Sequence, residues 1–121
     1  MIRSVATVLL LALFAGPAHA DEKLNKAEGV YKQFCSHCHG IKMVNPGTSS
    51  FDLRKFPTEQ HDRFLTSVTK GKGDMPAWGD ILLPDELDLL WYYVATRAGK
   101  QPFPDASDKA DSTTPDATEE K

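Results

Sequence analysis

A chain of 121 residues, 40% hydrophobic and 26% charged with a formal net charge of −3, has room for one small domain. It carries no basic excess that would point to nucleic acid, and its two cysteines cannot make a disulfide scaffold. A domain this small buries little surface by itself, so such domains often lean on a metal or cofactor.

The chain opens on Arg3, an almost unbroken apolar run from Val5 to Ala15, and Ala18-His19-Ala20. A positive start, a short apolar stretch and a small-residue cleavage site read as a secretory signal over residues 1–20, and the run is too short for a membrane-spanning helix. Cleavage would leave Asp21 as the first residue and set the address as the periplasm. No later stretch is apolar enough to span a bilayer.

Helical periodicity governs the body of the chain, and no segment alternates with the two-residue rhythm of a strand. Leu24, Ala27, Val30, Tyr31 and Phe34 predict a helix over about Leu24 to Cys35. A second helix is expected after Pro57, with Thr58 as N-cap, Glu59 in the first turn, Phe64, Leu65 and Val68 as its buried stripe, and Gly71 as its stop. Pro84 opens a third, with Asp85 and Glu86 complementing the helix dipole. Leu87, Leu90, Trp91, Val94 and Ala98 line one face of it, and Arg97, Gly99 and Pro102 close it. Residues 105–121 hold six acids, two lysines and no large apolar side chain, so they read as a disordered acidic tail. The folding unit is thus residues 21–104, all-α, with long irregular loops from Gly40 to Pro57 and Gly71 to Leu83. Three helices with such loops have too little apolar side chain for an ordinary core.

The chemistry lies in Cys35-Ser36-His37-Cys38-His39, which reads C-x-x-C-H, the attachment sequence for c-type haem. Two cysteines three apart at a helix end reach two vinyl groups on one side of a porphyrin, and the next residue brings an imidazole to the iron. A thioredoxin-like dithiol would want a preceding strand. A zinc site would want about four ligands, and His37, His39 and His61 join the cysteines at no familiar zinc spacing.

The second axial position falls to Met75, in Lys72-Gly73-Asp74-Met75-Pro76-Ala77-Trp78. Met1 leaves with the signal, and Met43 is too near His39 along the chain to reach the far face. His61 is the runner-up for this position. Thioether opposite imidazole favours ferrous iron and fills both axial sites, which predicts an electron carrier and not an enzyme. The alternative is a haem enzyme or gas sensor with a labile distal ligand, peroxidase-like, using His61 and Arg63.

Residues 24–99 resemble the class I c-type cytochromes: an amphipathic helix into C-x-x-C-H, a Pro-containing loop, a Met-Pro loop, then an aromatic-rich last helix. The resemblance implies a small three- to four-helix fold around one covalent haem c, cofactor-bound by Cys35, Cys38, His39 and Met75. It also implies a close crossing of first and last helices at Ala27 and Tyr31 against Leu90 and Tyr93. The family's loop proline, whose carbonyl orients the iron-bound histidine, would be Pro46. Asn45-Pro46-Gly47-Thr48, Phe51 to Pro57 and Met75 to Leu82 are similar to the small cytochrome-cL-like acceptors of quinoprotein alcohol and methanol dehydrogenases. That likeness implies a periplasmic pyrroloquinoline quinone dehydrogenase as electron donor, calcium- or lanthanide-dependent. A terminal oxidase or another cytochrome would be the acceptor, and this chain a monomer. Phe51, Leu53, Phe56, Trp78 and Ile81 are expected to wall the haem pocket. Arg54, Lys55, Lys70 and Lys72 are expected to neutralise haem propionates or form a docking rim.

Overall fold

Helix α1 spans Ala18–Phe34 and leads, after a break at Cys35, into the one-turn α2, Ser36–His39. The computed structural model describes residues 18–45, 47 and 50–104. Residues 1–17 of the expected signal, Pro46 and the acidic stretch 105–121 lie outside the described residues. Two further helices follow, α3 at His61–Lys70 and α4 at Pro84–Ala95, with short 3-10 turns at Ile41–Met43 and Leu53–Lys55. The described residues form a four-helix, all-α fold with no β-strand, as the periodicity predicts. None of the described helices is long and apolar enough to cross a membrane.

Helix α1 packs chiefly on α4. Ala27 and Tyr31 are fully buried on its inner face. The rings of Tyr31 and Tyr93 lie 4.7 Å apart, so the expected crossing of first and last helices is present. The small Ala27 side chain is what allows the two backbones to approach. A second cluster joins α3 to α4: Phe56, Phe64 and Trp91 meet with centroids 5.8, 6.2 and 5.2 Å apart, mostly edge-on, a favoured arrangement for aromatic pairs.

The ends of the helices depart from the expectations in specific ways. Helix α1 begins six residues before Leu24, so the expected cleavage junction at Asp21 falls in its first turn. Helix α3 starts at His61 with Gln60, not Thr58, as its N-cap, because Thr58 and Glu59 are spent in a turn closed by the Gln60 N–H donating to the Pro57 carbonyl at 3.2 Å. Its stop at Gly71 (φ 76°) agrees with the expectation. Helix α4 opens at Pro84, and the Glu86 carboxylate accepts the Leu83 N–H at 2.9 Å, satisfying one orphan donor. It ends at Ala95, three residues before Ala98. Arg97 and Ala98 follow in the left-handed region (φ 54° and 58°).

Candidate haem-attachment site

The attachment sequence sits on a sharp reversal at the end of α1. The His39 N–H donates to the Cys35 carbonyl at 2.9 Å and the Gly40 N–H to the Ser36 carbonyl at 2.9 Å, so Ser36–His39 make one helical turn. Gly40 then leaves with φ 81°, and a Cβ there would overlap the Val44 carbonyl oxygen. Only glycine fits. The Tyr31 hydroxyl donates to the Gly40 carbonyl at 2.7 Å, tying the turn back to the preceding helix.

Cys35 and Cys38 form no disulfide with each other; Cys35 is packed against the core and Cys38 is exposed. Burial pushes the Cys35 thiol up from the ordinary 9.0 to about 12, with a smaller push from Cys38, so it stays neutral at physiological pH. His37 is exposed, as expected of a residue between two anchors. The Nδ1 of His39 lies 2.9 Å from the Phe51 carbonyl. A carbonyl can only accept, so Nδ1 carries the proton and the Nε2 lone pair is left for a metal. The family resemblance would give this orienting role to Pro46. Among the described residues it belongs to the Phe51 main chain, a group with no side-chain signature.

Asn45 shapes the intervening loop. Its amide donates to the Ser50 carbonyl and its side-chain oxygen accepts the Gly47 N–H at 2.9 Å. From sequence, Asn45 stands out only as part of a loop motif.

Met75 stands in a tight hairpin: Lys72 N–H donates to the Met75 carbonyl at 3.1 Å, and Met75 N–H to the Lys72 carbonyl at 3.0 Å. Gly71 permits this, since a Cβ there would come within 2.7 Å of the Met75 carbonyl oxygen. The Trp78 and Gly79 N–H groups then donate to the carbonyls of Val68 and Thr69 at 2.9 and 3.2 Å, stitching the loop to α3. The Trp78 ring meets that of Phe34 edge-on at 5.4 Å. Phe34 precedes Cys35 and Trp78 follows Met75 by three, so the contact joins the end of α1 to the loop after Met75. The Met75 side chain is half-buried against the core. Met43, the other methionine among the described residues, is fully buried in that core.

His61 packs against α4. Its ring meets that of Trp91 at 4.8 Å, tilted by 30°, and its Nε2 is buried without a partner among the described residues. Among the described residues no three His, Cys, Asp or Glu side chains gather to hold a metal ion, so the histidines do not converge on the cysteines as a zinc site would require. The expected pocket walls divide. Phe56 is buried, Leu53 and Trp78 are half-buried, and Phe51 and Ile81 are exposed. Among the basic residues, Arg54 is held by Asp52 through two 2.8 Å contacts, which lower the Asp52 carboxyl and occupy the guanidinium. Lys55, Lys70 and Lys72 are exposed.

Two thiols, an imidazole with its Nε2 freed and a thioether form a donor set suited to a covalently held haem. Comparison with known proteins agrees with that chemistry. Residues 22–94 match the family described as "Cytochrome C oxidase, cbb3-type, subunit III". The chain belongs to that family, as a small class I c-type cytochrome related to cytochrome c6. It is 34% identical to a cytochrome c6 of Gloeothece citriformis (strain PCC 7424), over 83% of this chain and 96% of that protein. With a cytochrome c6 of Microcystis aeruginosa it shares 32% identity, over 59% of this chain and 93% of the relative. A third similarity, 37% identity over 57% of this chain, is to the quinohemoprotein alcohol dehydrogenase ADH-IIG of Pseudomonas putida, of which the chain spans only 10%. No solved structure matches.

Proposed function

We propose that the protein is a periplasmic one-electron carrier with a single haem c, joined through Cys35 and Cys38 and ligated by His39 and Met75. The observation that carries this reading is the His39 geometry: Nδ1 is committed to the Phe51 carbonyl, so Nε2 is the nitrogen offered to iron. When bound, haem supplies a one-electron couple. The chain's own residues anchor it, hold the imidazole in one tautomer, and offer sulfur from a hairpin fixed to α3. Iron held by both the His39 imidazole and the Met75 thioether would leave no site for oxygen or peroxide, which favours a carrier over an enzyme.

The donor we assign is a quinoprotein alcohol or methanol dehydrogenase using pyrroloquinoline quinone, with a terminal oxidase or another cytochrome as acceptor. The likeness to part of a quinohemoprotein alcohol dehydrogenase supports a kinship with that chemistry. Residues 1–20 serve as the export signal and are cleaved, residues 21–104 form the cytochrome domain, and 105–121 form an acidic tail.

A pyridine haemochrome spectrum of protein matured with the haem-attachment machinery tests the cofactor, and one c-type haem per chain is expected. Stopped-flow reduction by candidate quinoprotein dehydrogenases across a salt series tests the partner. Fast reduction that slows with salt is expected for a charge-steered encounter. No reduction by any of them would remove this donor and leave the carrier reading in place. Steady peroxide turnover would overturn the carrier reading.

A further inference from the structure

We propose that Arg97 is a positioning residue for His39: its guanidinium straps the Leu53–Phe56 segment to the end of α4 and so fixes the Phe51 carbonyl that orients the imidazole. The inference rests on the reading that His39 is the haem ligand.

Arg97 occupies the left-handed region at φ 54°, a conformation that glycine adopts with less strain. That backbone carries the side chain from the end of α4 across to a segment more than forty residues earlier. There Nη2 donates to the Phe56 carbonyl at 2.6 Å and Nη1 to the Leu53 carbonyl at 3.3 Å, while Nη1 also reaches Val94 at 3.0 Å. A guanidinium can satisfy three carbonyls at once because its donors form a rigid fork, and it remains charged throughout the accessible pH range.

The strapped segment is a single 3-10 turn. Asp52 caps it, accepting the Arg54 N–H at 3.1 Å, and Phe56 anchors it between Phe64 and Trp91. Phe51 lies immediately before this turn. Its carbonyl accepts from His39, and its ring meets Phe56 edge-on at 6.1 Å. On its other side, Asn45 holds Ser50. The His39 acceptor is therefore held between two polar clamps, with Arg97 on the α4 side. The hydrogen bond at Nδ1 sets the basicity of the imidazole and hence its preference for ferric iron. A looser Phe51 carbonyl weakens that bond and favours the reduced state.

The test compares wild-type holoprotein with Arg97→Ala and Arg97→Lys. Solvent exchange of the His39 Nδ1 proton is followed by NMR, and the ferrous-to-ferric ratio is measured against a fixed mediator. In Arg97→Ala, exchange should quicken by about tenfold and the ratio rise by about threefold, the scale of a partly weakened hydrogen bond. The far-red methionine–iron band should persist. Arg97→Lys, keeping a donor but losing the fork, should fall between. Lowered stability in Arg97→Ala with exchange and ratio unchanged would overturn the proposal, leaving Arg97 a structural strap. If Arg97→Ala does not mature, Arg97→Lys decides on the same two readouts: faster exchange with a raised ratio supports the proposal, and wild-type values overturn it. A wild-type protein with haem absent, or whose His39 ring protons lack the large shifts that bound haem iron imposes, would instead sink the functional reading beneath it.

Discussion

The hydroxyl of Tyr31 donates to the carbonyl of Gly40 across 2.7 Å, joining α1 to the residue after His39. Gly40 is buried, so its carbonyl has no ready substitute in water. Tyr31→Phe should cost about 1–2 kcal/mol, the usual penalty for leaving a buried polar group unpaired. Urea unfolding of the holoprotein measures it, and haem content should be unchanged.

At Gly40 itself a side chain meets both strain and overlap, since φ is 81° and a Cβ would run into Val44. Gly40→Ala should destabilise by more than the roughly 1 kcal/mol of an ordinary glycine replacement. Yield of matured protein and its urea midpoint should both fall.

Gly71 and Met75 are coupled in the same manner. Met75→Ala should abolish the far-red band and admit carbon monoxide. Gly71→Ala, whose Cβ would sit 2.7 Å from the Met75 carbonyl oxygen and 3.0 Å from the Ala77 nitrogen, should weaken that band while sparing the Soret absorption. A full-strength far-red band in Met75→Ala would assign the sulfur elsewhere.

Alkali should loosen the α1–α4 crossing. Burial raises the Tyr93 phenol from the ordinary 10.0 to about 12, with the Glu28 charge adding to it, and burial likewise raises Tyr31 above its ordinary range. The folded state then holds protons that the unfolded chain has lost, so this stabilisation is complete below about pH 10 and fades as pH climbs toward about 12. Urea midpoints measured at intervals from pH 8 upward should decline over that window, and Tyr93→Phe should make the decline shallower.

Much of the fold was legible because its cues are local and periodic. Ala27 and Tyr31 share a helical face, and Pro84 and Gly71 mark helix ends that the structure keeps. The placing of Cys35, Cys38 and His39 close together at a helix end follows from their spacing alone. Other features depend on groups the letter code hides. The acceptor for His39 is a main-chain oxygen at Phe51, twelve residues away, and nothing in the Phe51 side chain announces it. Thr58 resembles a cap by type, yet the chain uses it in a turn and begins the helix at His61. Arg97 reads as the end of a helix, and only its left-handed backbone reveals a reach to Leu53 and Phe56. Arg54 looks free for docking, but its neighbour Asp52 claims it.

The Lys72–Met75 hairpin is closed by two main-chain bonds of its own, its tip residues Lys72 to Asp74 are exposed, and the chain after it is held to α3 by two more bonds, from Trp78 and Gly79. Elements of that kind open at lower free energy than packed helices. Mild denaturant should therefore release the sulfur arm first, in a sub-global step that precedes cooperative melting of the helices.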